Sequence, residues 1–501
     1  VIRSLVIQIK AAPVPIVEAV APSASARSPI LSNTDSPPSL YSAREPVFPR
    51  RVKGRFRTLK WWLLGLMLGI YYITPWIRWD RGPNLPDQAV LVDIANRRFF
   101  FFMIEIWPHE FYFVAGLLIM AGLGLFLFTS AAGRVWCGYA CPQTVWTDLF
   151  ILVERWVEGD RNARIRLHRQ PWNWEKLIKN GIKWWIWLFI GLATGGAWVF
   201  YFTDAPTLLR DLLSFQAHPV AYFTILILTF TTFFFGGFAR EQICIYACPW
   251  PRIQAAMMDE DTLTIGYREW RGEPRGKQTV EGNGDCIDCM ACVNVCPMGI
   301  DIRNGQQLAC ITCGLCIDAC NDIMDKIGKP RDLIGYMALT DEVRERAGEA
   351  PKSVWSHVFR ARTVLYTVLW AGVGIGLIVA LFLRQPIDVS VTPVRNPTYV
   401  TLSDGSIRNA YDLRLRNMQG ADAEFTINVT SDARLGISLE GAEGLTVTVP
   451  ANQTMSQRVY LTAAAGSEAA GDDRTEVRLW IEEQGTTNRV NHDTIFNGKE
   501  N

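Results

Sequence analysis

The sequence predicts an α-helical membrane protein with about five transmembrane helices, a cysteine-rich domain inserted before the last of them, and a C-terminal all-β immunoglobulin-like sandwich. Three observations carry this expectation. Long uncharged apolar runs alternate with charged stretches, although the 501 residues are 49% hydrophobic with 19 Trp and a formal net charge of only +1. All 12 cysteines fall into tight clusters, most of them in one tandem run between Cys286 and Cys320. After residue 387 the pattern changes to short alternating stretches separated by turn residues. Membrane lipid is an expected partner; nucleic acid is not.

Residues 1–48 are rich in Ala, Pro, Ser and Val and lack a regular apolar period, which reads as a disordered leader. The apolar stretch 4–9 is too short for a signal-peptide core. Five later runs, 61–77, 111–133, 184–203, 219–239 and 363–383, approach the roughly 20 apolar residues that a bilayer crossing takes. None contains an ionised residue. The first four belong to a four-helix membrane domain over 49–260, and the fifth to the segment 351–386. Trp61, Trp62, Tyr71, Tyr72 and Trp76 are placed like interfacial anchors, and the Phe run 99–102 with Trp107 like an aromatic belt.

Lys and Arg in the flanks set the expected orientation. The stretch 49–60 carries Arg50, Arg51, Lys53, Arg55, Arg57 and Lys60 without an acid, and 134–183 is also basic, whereas 79–110 is slightly acidic. The N-terminus and 240–362 therefore face the cytoplasm and the C-terminus lies outside, as for a multi-pass protein of a bacterial inner membrane. Every cysteine then sits on the reducing side or at its membrane boundary, so structural disulfides are not expected.

The tandem run is Cys286, Cys289, Cys292 and Cys296 followed by Pro297, then Cys310, Cys313, Cys316 and Cys320. This C-x2-C-x2-C-x3-C spacing is that of two-cluster bacterial ferredoxins, where the fourth cysteine of each run serves the other cluster. One [4Fe–4S] cluster would take Cys286, Cys289, Cys292 and Cys320, and the other Cys296, Cys310, Cys313 and Cys316. Zinc knuckles usually show two separated pairs mixed with His, and no His lies between Thr262 and Ser356. The expected two-cluster ferredoxin-like domain spans 261–350 and faces the cytoplasm. Asn321 follows the second run where Pro follows the first, which alters a turn and not the donor set.

A second repeat lies in the membrane part. Cys137-Gly-Tyr-Ala-Cys141-Pro142 follows the second span and Cys244-Ile-Tyr-Ala-Cys248-Pro249 the fourth, so both C-x3-C-P motifs emerge at one face. Residues four apart share a helix face, and each pair is expected to present two sulfurs together before Pro ends the helix. Converging thiols make a soft-ligand site that favours Cu(I), zinc or an iron–sulfur cluster. Copper reduction, a third cluster and a dithiol–disulfide relay are all chemically coherent there, against the plain alternative of small residues filling helix ends.

From 387 to 501 the alternation at 411–416, 424–429, 445–449, 458–462 and 476–481 predicts half-buried strands and an immunoglobulin-like periplasmic domain. It has one His, His492, and no thiol, so docking is expected of it and not chemistry. In the fifth span Gly372-x3-Gly376 offers a helix–helix face, for a homodimer or for packing within the bundle. His109 and His218 near the outer boundaries read as polar caps more readily than as ligands, and Met257 and Met258 as packing residues.

These motifs together resemble the FixG/RdxA/CcoG family, the membrane iron–sulfur accessory proteins of cbb-type cytochrome oxidase. The resemblance rests on 50–57 (RRVKGRFR), 133–143 (GRVWCGYACPQ), 246–249 (YACP), 272–276 (GEPRG) and the run 285–320, and covers the chain from about residue 40 onward. It implies a cupric reductase that supplies Cu(I) for assembly of the oxidase, with oxidase assembly factors or copper chaperones as partners. It carries the cluster ligands onto the eight tandem cysteines, and the proposed copper or redox positions onto Cys137, Cys141, Cys244 and Cys248. The rival readings are an electron-transfer subunit linking the quinone pool to a redox partner, and a non-catalytic copper chaperone or scaffold. No G-x-G-x-x-G follows a strand, so the electrons are expected from outside the chain.

Overall fold

Hydropathy decides where the long helices stand. The computed structural model describes residues 46–499, apart from 83–84, 278–280, 385–386, 420 and 487. The leader expected over 1–48 lies, up to residue 45, outside the described residues. Among the described residues, four helices are long and apolar enough to cross a membrane: Pro108–Ala132, Trp174–Val199, Pro219–Ala247 and Ala361–Phe382. Most of their apolar side chains, such as Leu118, Phe189, Phe223 and Ile375, point outward, as lipid-facing helices require. The first expected span instead forms Arg55–Ile73, which starts six residues earlier than its apolar run and includes Arg57 and Lys60.

That early start has a physical cause. Arg57 and Lys60 are buried against Asp148, at 2.9 Å and 3.6 Å, so their charges are neutralised inside the protein. The opening N–H groups of this helix have no local side-chain cap. Asp318 supplies one from the cysteine-rich domain, accepting from Arg57 N at 2.7 Å and Phe56 N at 3.3 Å.

Small residues let the spans pack closely. A Cβ on Gly191 or Gly195 would lie 2.9 Å and 2.8 Å from the Thr229 and Ile225 carbonyl oxygens of the facing helix. The helix Ala361–Phe382 packs on Tyr112–Ala132 through Gly374 against Met120 and Trp370 against Gly124, while Gly372 and Gly376 face open space. Trp187 stacks on Phe150 with ring centroids 5.2 Å apart and fills the bundle near its cytoplasm-expected end.

Where the sequence reading placed an aromatic belt, the chain forms a three-stranded antiparallel sheet, Val90–Asp93, Arg98–Phe101 and Ile104–Ile106. Alternate residues there turn inward: Leu91 and Phe100 pair across the ladder and are buried, while Phe101 and Phe102 stay outside.

The C-terminal region is a two-sheet antiparallel sandwich. One sheet runs Leu435–Leu439, Thr454–Ala463, Ile407–Asn417, Ile387–Pro393, with Val400–Thr401 also on Ile407–Asn417; the other runs Thr446–Val449, Ala423–Ser431, Thr475–Glu483, Arg489–Phe496. Tyr411, Leu413, Leu415, Phe425, Ile427, Val459, Leu461, Leu479 and Ile481 alternate inward and are wholly buried. The Tyr411 hydroxyl donates across to the Ile495 carbonyl at 2.7 Å. The sandwich meets the small sheet through Arg98, which donates to Asn452 O (2.9 Å), and Arg384, just past the helix Ala361–Phe382, pairs with Glu110 ahead of the helix Tyr112–Ala132 (2.6 Å). The cysteine-rich domain meets the opposite end of the same helix through Arg134, which donates to Leu308 O.

Candidate iron–sulfur and thiol site

The two halves of the tandem run fold alike. Cys286-Ile-Asp-Cys289-Met-Ala-Cys292 and Cys310-Ile-Thr-Cys313-Gly-Leu-Cys316 each place two residues at positive φ: Asp288 (53°) and Met290 (56°), then Thr312 (54°) and Gly314 (73°). Such turns direct successive N–H groups into one concavity, the arrangement that suits an anionic group. Thr312 N already donates to Cys310 Sγ at 3.4 Å. Gly314 has no room for a side chain, since Phe56 lies 2.5 Å from where its Cβ would stand. A short helix, Ala291–Val295, follows the first turn, and the longer Leu315–Ile327 follows the second.

The chain path then crosses over. One cavity is lined by Cys286, Cys289, Cys292 and Cys320, with Arg303 beside them; the other by Cys296, Cys310, Cys313 and Cys316, with Cys292 on its border. Burial pushes the thiols of Cys292 and Cys310 up to about 11, and those of Cys296 and Cys320 up to about 12. Bare thiolates are therefore unfavourable here, and a cationic metal core must offset their desolvation. Four sulfurs around each cavity and inward N–H groups fit a [4Fe–4S] cube on both sides.

The C-x3-C-P motifs do not form single helix faces. The helix Val135–Tyr139 holds Cys137 but ends before Cys141, and the π-helical turn Ile243–Ala247 holds Cys244 but ends before Cys248. Pro Cδ bars α geometry at the preceding residue, and both second cysteines are extended, at φ −61°, ψ 128° and φ −78°, ψ 126°. The two motifs are nonetheless brought together. Cys137 Sγ donates to Gln254 Oε1 at 3.1 Å, six residues past Cys248, and Gln143 donates to the carbonyls of Phe235 (2.8 Å) and Arg240 (3.2 Å), just before Cys244. Cys137 and Cys244 each lie within electrostatic reach of the other thiols. Burial raises the Cys137 thiol, and the neighbouring Arg134 guanidinium pulls it back down.

This thiol station abuts the second tandem quartet. Cys137 and Cys244 pack in one apolar cluster with Cys296, Cys313 and Cys316. The Tyr139 hydroxyl donates to Cys313 O at 2.9 Å, and Tyr336 to the adjacent Thr312 O at 2.8 Å. A Cβ on Gly138 would come within 2.6 Å of Ile311 O and 3.1 Å of Cys313 Cα, so only glycine lets the two loops touch.

The remaining candidates fall elsewhere. His109 lies against Arg416 of the sandwich at 2.8 Å, and His218 caps its own helix by accepting from Val220 N at 3.3 Å. His168 is exposed near Phe48. Met258 lines a groove with Arg134, Gln307 and Cys310. Arg134, Gln254, Tyr139 and Arg303 were not singled out from sequence. The first three lie in or beside the motifs, which is the only signal they give; Arg303 gives none.

The geometry defines a class: an iron–sulfur redox protein whose ferredoxin-like domain is docked on a bundle of membrane helices. Comparison with known proteins agrees. Residues 239–339 match a 4Fe–4S dicluster domain, 113–159 a 4Fe–4S binding domain, and 377–499 the IG-like fold at the C-terminus of FixG. The chain is 74% identical to Protein RdxB of Cereibacter sphaeroides, covering 92% of this chain and 98% of that one. It is 69% identical to Protein RdxA of the same organism (89% and 95%) and 52% identical to the nitrogen fixation protein FixG of Rhizobium meliloti (87% and 89%). A solved FixG-related protein from Vibrio parahaemolyticus aligns over 23% of this chain and all of that one, with 18% identity and a TM-score of 0.20. The chain belongs to the FixG/RdxA family.

Proposed function

We propose that this protein is a membrane-bound oxidoreductase that reduces Cu(II) to Cu(I) at or near the C-x3-C-P station, for assembly of a cbb-type cytochrome oxidase. It spans the bacterial inner membrane five times, with the helix Arg55–Ile73 as the first crossing, the cysteines cytoplasmic and the sandwich periplasmic. Oxidase assembly factors or copper chaperones receive the Cu(I). The single observation that carries the reading is that Cys137 and Cys244 share one apolar cluster with Cys296, Cys313 and Cys316, which places the two thiol stations side by side.

When bound, iron–sulfur cubes supply one-electron chemistry. Cu(II) needs one electron and no proton to become Cu(I), so the stoichiometry matches; an external reductant restores the electron. The chain's part is positional. Tyr139 and Gly138 hold the motif on the Cys313 loop, Arg134 offsets negative charge at the thiols, and sulfur donors favour the reduced metal over the oxidised one.

The test is cupric reduction by anaerobically purified protein with a chemical reductant. Replacing Cys137 and Cys141 with Ser should abolish Cu(II) reduction while the EPR signals of the ferredoxin-like domain persist. Undiminished turnover in that variant would reject the site.

A further inference from the structure

The two tandem cysteine runs fold alike but are covered differently. In the second run Thr312, Cys313 and Gly314 are all buried. Phe56 presses on Gly314, Gly138 lies over Cys313, and the hydroxyls of Tyr139 and Tyr336 reach the Cys313 and Thr312 carbonyls. The matching residues of the first run, Asp288, Cys289 and Met290, are all exposed, and Cys289 alone of the 12 cysteines is so. We propose that the tip 288–290 is the docking surface for a soluble protein carrying a one-electron centre, the donor that feeds this chain. This rests on the proposed function only for where the electron goes next.

The first argument is the internal repeat. Both loops have positive φ on either side of the middle cysteine, so they present the same backbone outward. One copy carries the membrane part and its thiols on that outer face, whereas among the described residues the other carries nothing. If the covered copy hands electrons to the thiols, the bare copy is where they arrive.

The second argument is the bracing of the tip. Arg303, only 5% exposed, holds it from behind: Nη1 donates to Asp288 at 2.6 Å and Nη2 to Met290 Sδ at 2.8 Å. Its Nε and Nη2 are fixed in turn by Asp301 at 2.9 Å and 2.7 Å. A loop tied in this way gives up little freedom when a partner binds.

The third argument concerns the partner's class. Where the covered loop has Gly314, the bare one has Met290, a soft side chain that adapts to a partner's surface and is 39% exposed. The recess behind the tip is the one lined by the four sulfurs, so a reductant meets the tip's outer face. That suits a protein bringing its own centre, since electron-transfer encounters bury less than about 1,200 Å². One electron then passes from the partner's reduced centre to the group held by Cys286, Cys289, Cys292 and Cys320. No bond forms or breaks and no proton moves.

The full chain, purified without oxygen in detergent, is mixed with reduced flavodoxin or reduced two-cluster ferredoxin before any copper is added. Absorbance and EPR should show reduction of the clusters, and the oxidised donor should slow hydrogen exchange over 286–293. Met290→Asn, a residue that tolerates positive φ, should lower the second-order rate by about 5- to 30-fold, as loss of one interface anchor does. Its iron content and its reduction by dithionite should stay at the wild-type values. Val343→Asn, at an exposed position on the helix Leu339–Arg346, is the control and should change nothing. If Met290→Asn fails to assemble, the exchange footprint on the wild type decides alone. An unchanged rate in Met290→Asn, a footprint elsewhere, or reduction by duroquinol with no response to either protein overturns the assignment. So does a tip already protected in the free chain, whether by a second copy, seen as a dimer in sedimentation, or by residues 1–45, seen as exposure on their removal. Because cluster reduction is read without copper, a failed Cu(II) assay would sink the proposed function and leave the docking surface standing.

Discussion

Gly138→Ala isolates the contact between the two thiol stations. The added methyl would stand 2.6 Å from Ile311 O, 3.1 Å from Cys313 Cα and 3.2 Å from Cys313 N, all backbone atoms. Comfortable carbon contacts lie at about 3.5–4.0 Å, so roughly 1 Å must be found by moving one loop. The Cys313 loop is tied by Tyr139, Tyr336 and the Thr312-to-Cys310 bond, and cannot yield cheaply. Overpacking of this kind costs about 1–3 kcal/mol, which corresponds to about 5- to 150-fold in the docking equilibrium. Hydrogen exchange should therefore quicken by that factor over 135–141 and 310–316, with iron content retained and Cu(II) reduction slowed. Gly69→Ala is the control, because nothing lies within 4 Å of that position; it should be neutral or slightly stabilising. Unchanged exchange and turnover in Gly138→Ala would refute the close-approach argument.

Three further outcomes are expected. Asp318→Ala removes the cap on Phe56 and Arg57 and should lower stability by about 1 kcal/mol, read as faster exchange at 55–58, with Asp318→Asn recovering part of it. Asp148→Ala leaves Arg57 and Lys60 buried without their carboxylate and should cost about 3–5 kcal/mol, seen as a loss of thermal stability in detergent. Leu415→Ala empties a wholly buried position of the sandwich and should cost that domain about 2–5 kcal/mol in denaturant unfolding, while iron content stays at the wild-type value.

Spacing made the cysteines legible because a cluster dictates how far apart its ligands sit along the chain. The crossed quartets, the outward spans and five sandwich strands could be read for similar reasons of period. What escaped the sequence was set by partners distant in the chain. Arg55–Ile73 begins ahead of its apolar run because Asp148 and Asp318 arrive to receive its charges and N–H groups. The strands Ile387–Pro393, Leu435–Leu439 and Arg489–Phe496 escaped notice although each alternates; all three lie at sheet edges, which only the pairing order reveals. The small sheet over 90–106 hid behind a Phe run whose two faces only the ladder distinguishes.

The residue that closes the opening turn of Arg55–Ile73 is synthesised 261 positions after the turn it closes. During translation that end of the helix must wait for Asp318, which lies between two cysteines of the crossed quartets, Cys316 and Cys320. A change in the fold of the cysteine-rich domain at Cys316–Cys320 is thereby transmitted to the first turn of Arg55–Ile73.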